Sequence, residues 1–441
     1  MPQFAPLNLN GDTFNYFRSK TIVLFLSIIS IIPTTFANQQ STENIFNEYK
    51  STVVQIRIID KATDAKTSIG SGFFVNDSGL ITTNYHVIAK HVFQPDQYRI
   101  EYVLHNYDKT KIIFNATLVN FDVVHDLAIL QAKPELPTPF LKLSTRTIPK
   151  GENILSIGNP HDLGMAIILG TYNGITDDSI NQRIHLSGAI NSGMSGGPSI
   201  NKEGEVIGVN VATSGNQIGF LVPVHYLKTL LNKNERPTNF KKHITKQLLI
   251  NQDNYISEIL SKPLKTKQFS SYIVPDKIAN FLTCWGDSDT KDLPYKTSAN
   301  SCATKNNIFL AQNFATGDLH YAQFHLTAYD ISKFRFSFML EDYFANPGTH
   351  LSGSENQFTN YKCKTQFVEN HNLTFKIAFC LRGYHSFENL YDMMLAAVTL
   401  NDENDAIQTN LILSGVSFKN AVLFSQKYIN SFSKIDNKEP N

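Results

Sequence analysis

The sequence predicts an all-β fold, either a sandwich or a pair of barrels, for residues 53–224. Apolar stretches of strand length recur there about every 8–12 residues, and Gly and Asn residues typical of turns separate them. Helical spacing of apolar residues occurs only at the two ends of this region. The whole chain has 441 residues, of which 42% are hydrophobic and 17% charged, as expected for an ordered protein with more than one domain.

The elements follow in order along the chain. A short helix is expected around TENIFNEYKST, before the first strand. The strands expected after it are VVQIRII, GSGFFVNDSGLITTN, YRIEYVLH, KIIFNATLVNF, LAILQAK, NILSIG, AIILGTYNGI, EVIGVNVA and IGFLVPV. A helix over VHYLKTLLNK then closes the region.

The N-terminus predicts export. Arg18 and Lys20 precede the apolar run TIVLFLSIISII, and small residues follow at Thr35 and Ala37, as a signal peptidase requires. Residues 1–37 are therefore predicted to be a signal peptide that sends the protein to the periplasm or out of the cell. Because the 20 residues before the apolar run are long for such a signal, retention of the segment as a membrane tether is the alternative.

The second half of the chain is predicted to be a separate unit. Residues 236–250 are polar and basic and are expected to form a linker after a domain at 38–235. Residues 251–441 are expected to form a β-rich, possibly α+β, accessory domain.

The four cysteines predict two disulfide bonds in this second domain. An exported protein with no C-x-x-C pair favours disulfides over a zinc site. A hairpin with a two-residue turn at His371-Asn372 would place Cys363 opposite Cys380, and Cys284 would then pair with Cys302 across a polar surface loop.

The formal net charge is +1, so no field of the whole molecule attracts nucleic acid or an anionic membrane. No nucleic-acid partner is expected. The sequence does not determine the oligomeric state.

Three separate stretches supply the parts of a nucleophilic triad. His86 follows a strand in GLITTNYHVI, Asp126 opens a strand in DLAILQA, and Ser195 lies between glycines in SGMSGGP. A serine hydroxyl needs a base to take its proton, imidazole is that base near neutral pH, and a carboxylate orients the imidazole.

These stretches resemble the trypsin-like serine proteases of the HtrA/Deg type, over about residues 50–230. The resemblance includes LSIGNPHDLGMAIILGTYNGI and NKEGEVIGVNVATSGNQIGFLVPV as well as the three blocks above. It implies a double six-stranded β-barrel, with His86 as general base, Asp126 as its orienting acid and Ser195 as nucleophile. It also implies an oxyanion hole formed by the backbone amides of Gly193 and Ser195.

The chain departs from this family at two positions near the triad. Met194 stands where the family has Asn or Asp, so it cannot pair with a freed N-terminal ammonium. Val211 stands where a Thr or Ser hydroxyl would support the catalytic carboxylate. Asp122 is the one close rival of Asp126, and His125 and His161 are expected to be surface residues.

The pocket for the substrate side chain before the cleaved bond (P1) is expected to be uncharged. Its predicted lining is Ala189, Ile190, Asn210, Val211, Ala212 and Thr213. A charged side chain would be buried there without a partner, so a small or aliphatic P1 residue such as Val, Ala, Ile or Leu is expected.

The sequence therefore predicts an exported serine endopeptidase that acts on polypeptides through an acyl-enzyme, with no metal and no organic cofactor. HtrA-type proteases commonly carry PDZ domains, and no Gly-Leu-Gly-like loop follows residue 235. One alternative is a catalytically silent protease fold that binds polypeptides or envelope partners. Another is that the C-terminal half is a binding module that only localises the protease.

Overall fold

A computed structural model describes residues 42–105, 111–134, 137–176, 179–213, 217–288, 295–345 and 353–435. The predicted signal peptide lies outside these ranges. Within them, no helix combines the length and the apolar character needed to cross a membrane.

The first barrel follows the predicted short helix, which is α1 (Thr42–Tyr49). Alternate residues of its first strand, Val54, Ile56 and Ile58, are fully buried, as expected where one face of a strand points into a barrel. The barrel is closed in the strand order β1-β2-β3-β6-β5-β4. Its elements are β1 (Val53–Asp60), β2 (Lys66–Phe74), β3 (Leu80–Thr83), α2 (Tyr85–Phe93), β4 (Tyr98–His105), β5 (Lys111–Asp122) and β6 (Leu127–Gln131).

The second barrel is closed in the order β10-β11-β12-β9-β8-β7. The predicted pair of six-stranded barrels is thus confirmed. The strands are β7 (Asn153–Gly158), β8 (Ala166–Ile175), β9 (Ile184–Ser187), β10 (Pro198–Ile200), β11 (Val206–Thr213) and β12 (Ile218–Pro223). The predicted closing helix is α3 (Val224–Leu231).

Most of the segment expected to be a linker is helical. Helix α4 (Phe240–Leu260) is capped by Asn239, whose side chain accepts a hydrogen bond from the amide of Lys242. The first half of α4 buries Ile244 and Leu248 in the core of the first barrel. Its second half buries three residues in the core of the C-terminal sheet, namely Tyr255, Ile256 and Ile259. The helix therefore joins two cores, and all described residues belong to one compact unit.

The C-terminal region is built on a seven-stranded sheet with the order β15-β16-β19-β23-β22-β21-β20, and helices α4 and α6 share its core. A small three-stranded sheet and the separate two-stranded hairpin β17-β18 complete the region. The strands are β13 (Thr266–Phe269), β14 (Tyr272–Pro275), β15 (Leu282–Ser288), β16 (Tyr295–Thr304), β17 (Ile308–Ala311), β18 (Phe314–Thr316), β19 (Leu319–Ala328), β20 (Lys362–Asn370), β21 (Leu373–Gly383), β22 (Tyr391–Thr399), β23 (Asp405–Val416) and β24 (Ser433–Lys434). The helices are α5 (Lys333–Ala345) and α6 (Phe418–Ile429).

Both disulfides are present with the expected pairing. Cys363 and Cys380 lie directly opposite each other in the hairpin β20-β21, and the turn between these strands is formed by His371 and Asn372. Cys284 and Cys302 are also directly opposite each other. The segment between them was expected to be a polar loop, but residues 285–288 and 295–301 of it belong to the paired strands β15 and β16.

Candidate active site

His86 and Asp126 form a pair between the end of β3 and the start of β6. Nδ1 of His86 lies 2.7 Å from Oδ2 of Asp126, and the backbone N–H of His86 donates to Oδ1 of the same carboxylate at 2.8 Å. Strands β3 and β6 are neighbours in the barrel, with Thr83 opposite Ala128. The barrel thus brings together two residues that are 40 positions apart in the sequence.

The backbone at Asp126 is held in an unusual conformation. Its φ is +62°, in the left-handed region that few residues other than glycine adopt. The side chain of Asn84 donates a hydrogen bond to the Asp126 carbonyl at 2.7 Å. This contact fixes the turn that points the carboxylate at His86.

The pKa of His86 is raised above its usual value. Burial of the imidazole opposes the charged form, but the charge of Asp126 and the hydrogen bond to it outweigh that effect. Arg183 lies near enough to reduce the rise, because its positive charge disfavours a charged imidazole. The imidazole is thereby a stronger base than a free one.

Ser195 lies in a tight turn just before β10. The ladder between β10 and β11 continues into this turn, since the Gly196 amide donates to the Asn210 carbonyl at 2.8 Å. The hydroxyl of Ser195 donates to the carbonyl of Val211 at 2.9 Å and not to His86. Val211 is the residue at an irregularity in the pairing of β11 with β12, a feature common next to active sites.

In this turn the backbone amides of Gly193 and Ser195 have no acceptor in the described part of the chain. The carbonyl of Ser192 accepts from the amide of His161 at 2.9 Å. Because the C=O and N–H of a trans peptide point in opposite directions, the Gly193 N–H is turned away from His161. Both amides are therefore available to an oxyanion.

Gly193 is required in this turn for two reasons. Its φ is +92°, and a Cβ there would lie 2.4 Å from the carbonyl oxygen of Asn159. Its own carbonyl accepts from the hydroxyl of Ser71 at 2.8 Å, and the Ser71 amide donates to the Ser195 carbonyl at 2.7 Å. Ser71, on β2, therefore ties the turn of the second barrel to the first barrel.

The short turn that holds Ser192 is itself strained and tethered. His161 and Asp162 have φ values of +51° and +60°. The Asp162 carboxylate accepts from Gln55 at 2.6 Å and pairs with Lys66, both on the first barrel. Asp162 thus secures the position of the His161 amide.

Met194 is fully buried in the core of the second barrel, and Ile190 and Leu221 are in the same cluster. Its amide donates to the Asn191 carbonyl at 3.0 Å. Apolar packing therefore anchors the nucleophile turn at the position where an acidic residue could otherwise hold it by an ion pair.

Asp122, the alternative to Asp126 in the sequence, pairs with a different histidine. Its carboxylate lies 2.8 Å from Nδ1 of His125, and this imidazole stacks on Tyr226 with ring centroids 3.8 Å apart. The hydrogen bond and charge of His125 outweigh burial and hold the pKa of Asp122 below its usual range.

The residues expected to line the P1 pocket differ in exposure, and only some of them have side chains at the surface. Ala189 and Val211 are partly exposed, whereas Ile190 is only 2% exposed and packs in the barrel core. The side chain of Asn210 is fully buried, where it accepts from Ser199 and donates to Ile157, so it faces the barrel. Ala212 and Thr213 continue β11, and their side chains lie outside the description.

Sequence reasoning missed Arg183 and Phe309. Both line a cavity of about 340 Å³ that His86, Asp126 and Val211 also border. Burial lowers the pKa of the Arg183 guanidinium, and no carboxylate of the described residues lies within 4.0 Å of it. Phe309 belongs to the C-terminal hairpin β17-β18, and its ring lies edge-on to His86. No sequence motif links these residues to the triad.

Among the described residues, no three His, Cys, Asp or Glu side chains are arranged to hold a metal ion.

A protein-family profile described as a trypsin-like peptidase domain matches residues 70–209. The chain is 29% identical over 253 residues to a probable periplasmic serine endoprotease DegP-like of Rickettsia conorii, covering 52% of this chain and 48% of that protein. It is 29% identical over 243 residues to the serine endoprotease DegS of Haemophilus influenzae, covering 52% and 65%. The solved structure of Deg5 is 30% identical, with 42% of this chain and 90% of that chain covered and a TM-score of 0.38.

The chain spans about half the length of the DegP-like protein, 48%, so the match does not cover the whole of either protein. The profile and the two closed barrels identify residues 70–209 as a trypsin-like peptidase domain, and the curated relatives show that the chain is similar to serine endoproteases of the HtrA type.

Proposed function

We propose that the protein is an exported serine endopeptidase that cleaves extracytoplasmic polypeptides through a Ser195-His86-Asp126 triad and an acyl-enzyme. The observation that carries this proposal is the paired hydrogen bonding of His86 to Asp126. The turn of Ser195 lies close to this pair, since a Cβ on Gly196 would be 3.0 Å from the amide nitrogen of Asn84. Two amides without an acceptor in the same turn support it, as does the periplasmic location named for the DegP-like relative.

In this mechanism the hydroxyl of Ser195 leaves the Val211 carbonyl and turns toward His86 by rotation of its side chain. His86 takes the proton while the oxygen attacks the substrate carbonyl, and Asp126 stabilises the imidazolium that forms. The amides of Gly193 and Ser195 donate to the oxyanion, and each such donor is worth about 3 kcal/mol of transition-state stabilisation. His86 then gives its proton to the leaving amine.

The proposed P1 residue is small or aliphatic. A Cβ on Gly219 would lie 2.6 Å from the Gly188 carbonyl and 2.8 Å from Ile190, so the backbones approach closely on this side of the turn. This close approach, with no charged side chain among the residues expected to line the pocket, favours Val, Ala, Ile or Leu over a charged P1 side chain.

The second candidate function is a silent protease fold that binds polypeptides. The hydrogen bond from Ser195 to Val211 favours it, because a serine held in that way is not activated by His86. The two functions differ in whether Ser195 reacts.

A fluorophosphonate probe distinguishes them, since it labels only an activated serine. The purified protein, Ser195→Ala and the control Ser78→Ala, an exposed serine of the same domain, should be labelled in parallel and assayed on fluorogenic peptides with P1 Val or Ala. We expect labelling and cleavage in the wild type and in Ser78→Ala, and neither in Ser195→Ala. A wild type that remains unlabelled with peptides present would support the silent fold.

A further inference from the structure

The hairpin β17-β18 of the C-terminal region lies against the helix that carries His86. Tyr85, the residue before His86, is fully buried and donates from its hydroxyl to the carbonyl of Leu310 at 2.9 Å. The ring of Phe309 meets the imidazole of His86 edge-on, with centroids 6.1 Å apart and planes at 78°. A residue of the C-terminal region therefore lies beside the general base of the proposed protease.

The hairpin is a fixed part of the fold and not a loose cover. Ile308, Leu310 and Phe314 are between 0% and 6% exposed and belong to the same core cluster as the interior of the first barrel. Phe314 also packs against the ring of Phe93 on α2, at 6.4 Å between centroids. Removal of the hairpin from α2 would expose all of these apolar side chains to water, so it stays in place while substrate binds.

Phe309 and His86 separate two cavities. One, of about 340 Å³, is bordered by Asp126, Val211 and Arg183. The other, of about 390 Å³, lies toward Thr67 and Lys90, and Phe309 and His86 border it as well. Strand alternation explains this placement, because Ile308 and Leu310 point into the core while Phe309, between them, is partly exposed.

We propose that Phe309 is a specificity-determining residue of the protease site and that the two cavities it separates receive substrate side chains on the two sides of the cleaved bond. This inference rests on the proposed function, since His86 marks the position of that bond. The size of each cavity is set by a side chain from outside the two barrels. The C-terminal region then contributes directly to substrate selection.

The experiment uses the full-length exported protein and quenched fluorescent peptides. The peptides vary the two positions on each side of the cleaved bond from Ala to Trp. The variants are Phe309→Ala and Phe309→Trp, and the control is Phe334→Ala, a phenylalanine of the same region that is 85% exposed. For every variant the melting temperature and the rate of fluorophosphonate labelling of Ser195 are measured, because the probe reports the nucleophile without filling the cavities.

In Phe309→Ala, we expect kcat/KM for Trp relative to Ala to rise about 10-fold or more at one or more of these positions. In Phe309→Trp the ratio should fall, and in Phe334→Ala it should not change. Unchanged ratios in both Phe309 variants, with labelling intact, would overturn the proposal. An equal rise of kcat/KM for all peptides would overturn it too, since Phe309 would then merely obstruct the site. If the wild type shows no Ser195-dependent cleavage, the proposed function fails and this inference fails with it.

Discussion

At the scale of single residues, the proposed triad predicts that the balance of charge and burial at His86 sets the pH range of activity. Burial alone would lower the pKa of this imidazole, and Asp126 reverses the sign. Because a general base must be neutral to accept a proton, activity is absent below the pKa of His86 and rises as pH increases through it. The midpoint of that rise should lie above 6.5, the usual value for histidine.

Asp126→Asn should change this profile in a predictable direction. Without the carboxylate only burial and Arg183 act on His86, so the midpoint of kcat/KM against pH should move below 6.5. We expect kcat to fall about 10⁴-fold, because the imidazole loses its orientation and tautomer. The matched control is Asp122→Asn, whose carboxylate pairs with His125 and not with His86. Equal effects of the two substitutions would contradict the assignment of Asp126.

Met194 provides a second test at this scale. Met194→Leu keeps the buried side chain apolar and close in volume, so it should cost less than about 1.5 kcal/mol of stability and leave labelling of Ser195 nearly unchanged. Met194→Asp places a carboxylate without a partner in the core of the second barrel and should cost several kcal/mol, about 3 or more. Thermal melts and active-site labelling of both variants measure these effects. Retained labelling in Met194→Asp would show that packing does not hold the turn.

Some residues of the proposed site have a local sequence signal and others have none, for physical reasons. His86, Asp126 and Ser195 each lie in a local pattern, a strand end or a Gly-rich turn, that requires their residue type. Ile190 and Asn210 were expected to line the P1 pocket, but alternation along the chain turns both side chains into the barrel.

At the scale of elements, helix α4 supports the loop that leads to Asp126. Gln247 accepts from the amide of Val123 at 2.8 Å and donates to the carbonyl of Phe121 at 2.9 Å, so one side chain pairs with the backbone as a neighbouring strand would. The sequence did not predict this role, because the polar and basic residues of α4 are typical of a linker. Its buried apolar positions are five residues spread over a 21-residue helix, which is a weak signal beside the lysines between them.

Gln247→Ala should therefore weaken both stability and catalysis. Loss of two hydrogen bonds to partly buried backbone groups should cost about 1–3 kcal/mol, and a less constrained Asp126 loop should lower kcat more than it changes KM. Lys241→Ala, at an exposed position of the same helix, is the control. Urea unfolding and steady-state kinetics on one peptide give both quantities. A loss of stability without a change in kcat would mean that the two hydrogen bonds of Gln247 do not influence the position of Asp126.

At the scale of the whole molecule, the two halves share a core. The strand pattern predicted the all-β region and the hairpin of Cys363 and Cys380, because alternation and turn residues are local signals. The closure into two barrels was implied by the family resemblance, and the strands that pair Cys284 with Cys302 were expected to be a polar loop. The packing of the hairpin β17-β18 on α2 has no local signal, since it joins residues more than 200 positions apart. A boundary placed at residue 235 from sequence therefore cuts through the hydrophobic core of the first barrel.

A protein truncated after Glu235 should consequently be unstable. The buried side chains that it loses from the core of the first barrel include two of α4, Ile244 and Leu248, and three of the hairpin β17-β18, Ile308, Leu310 and Phe314. At about 1.5–3 kcal/mol for each, this burial is comparable to the whole stability of a typical domain, which is about 5–15 kcal/mol.

We expect the fragment 38–235 to be aggregated or unfolded at a temperature where the full-length protein labels with fluorophosphonate. A milder version of the same change is full-length Leu310→Ala, which should lower stability by about 2–5 kcal/mol, since Leu310 is 0% exposed. A fragment that melts at the temperature of the full-length protein and labels at the same rate would show that the protease domain is autonomous. The C-terminal region would then serve substrate selection or localisation alone. If the fragment is unstable as expected, the same apolar contacts that hold Phe309 beside His86 are also those that keep the first barrel folded.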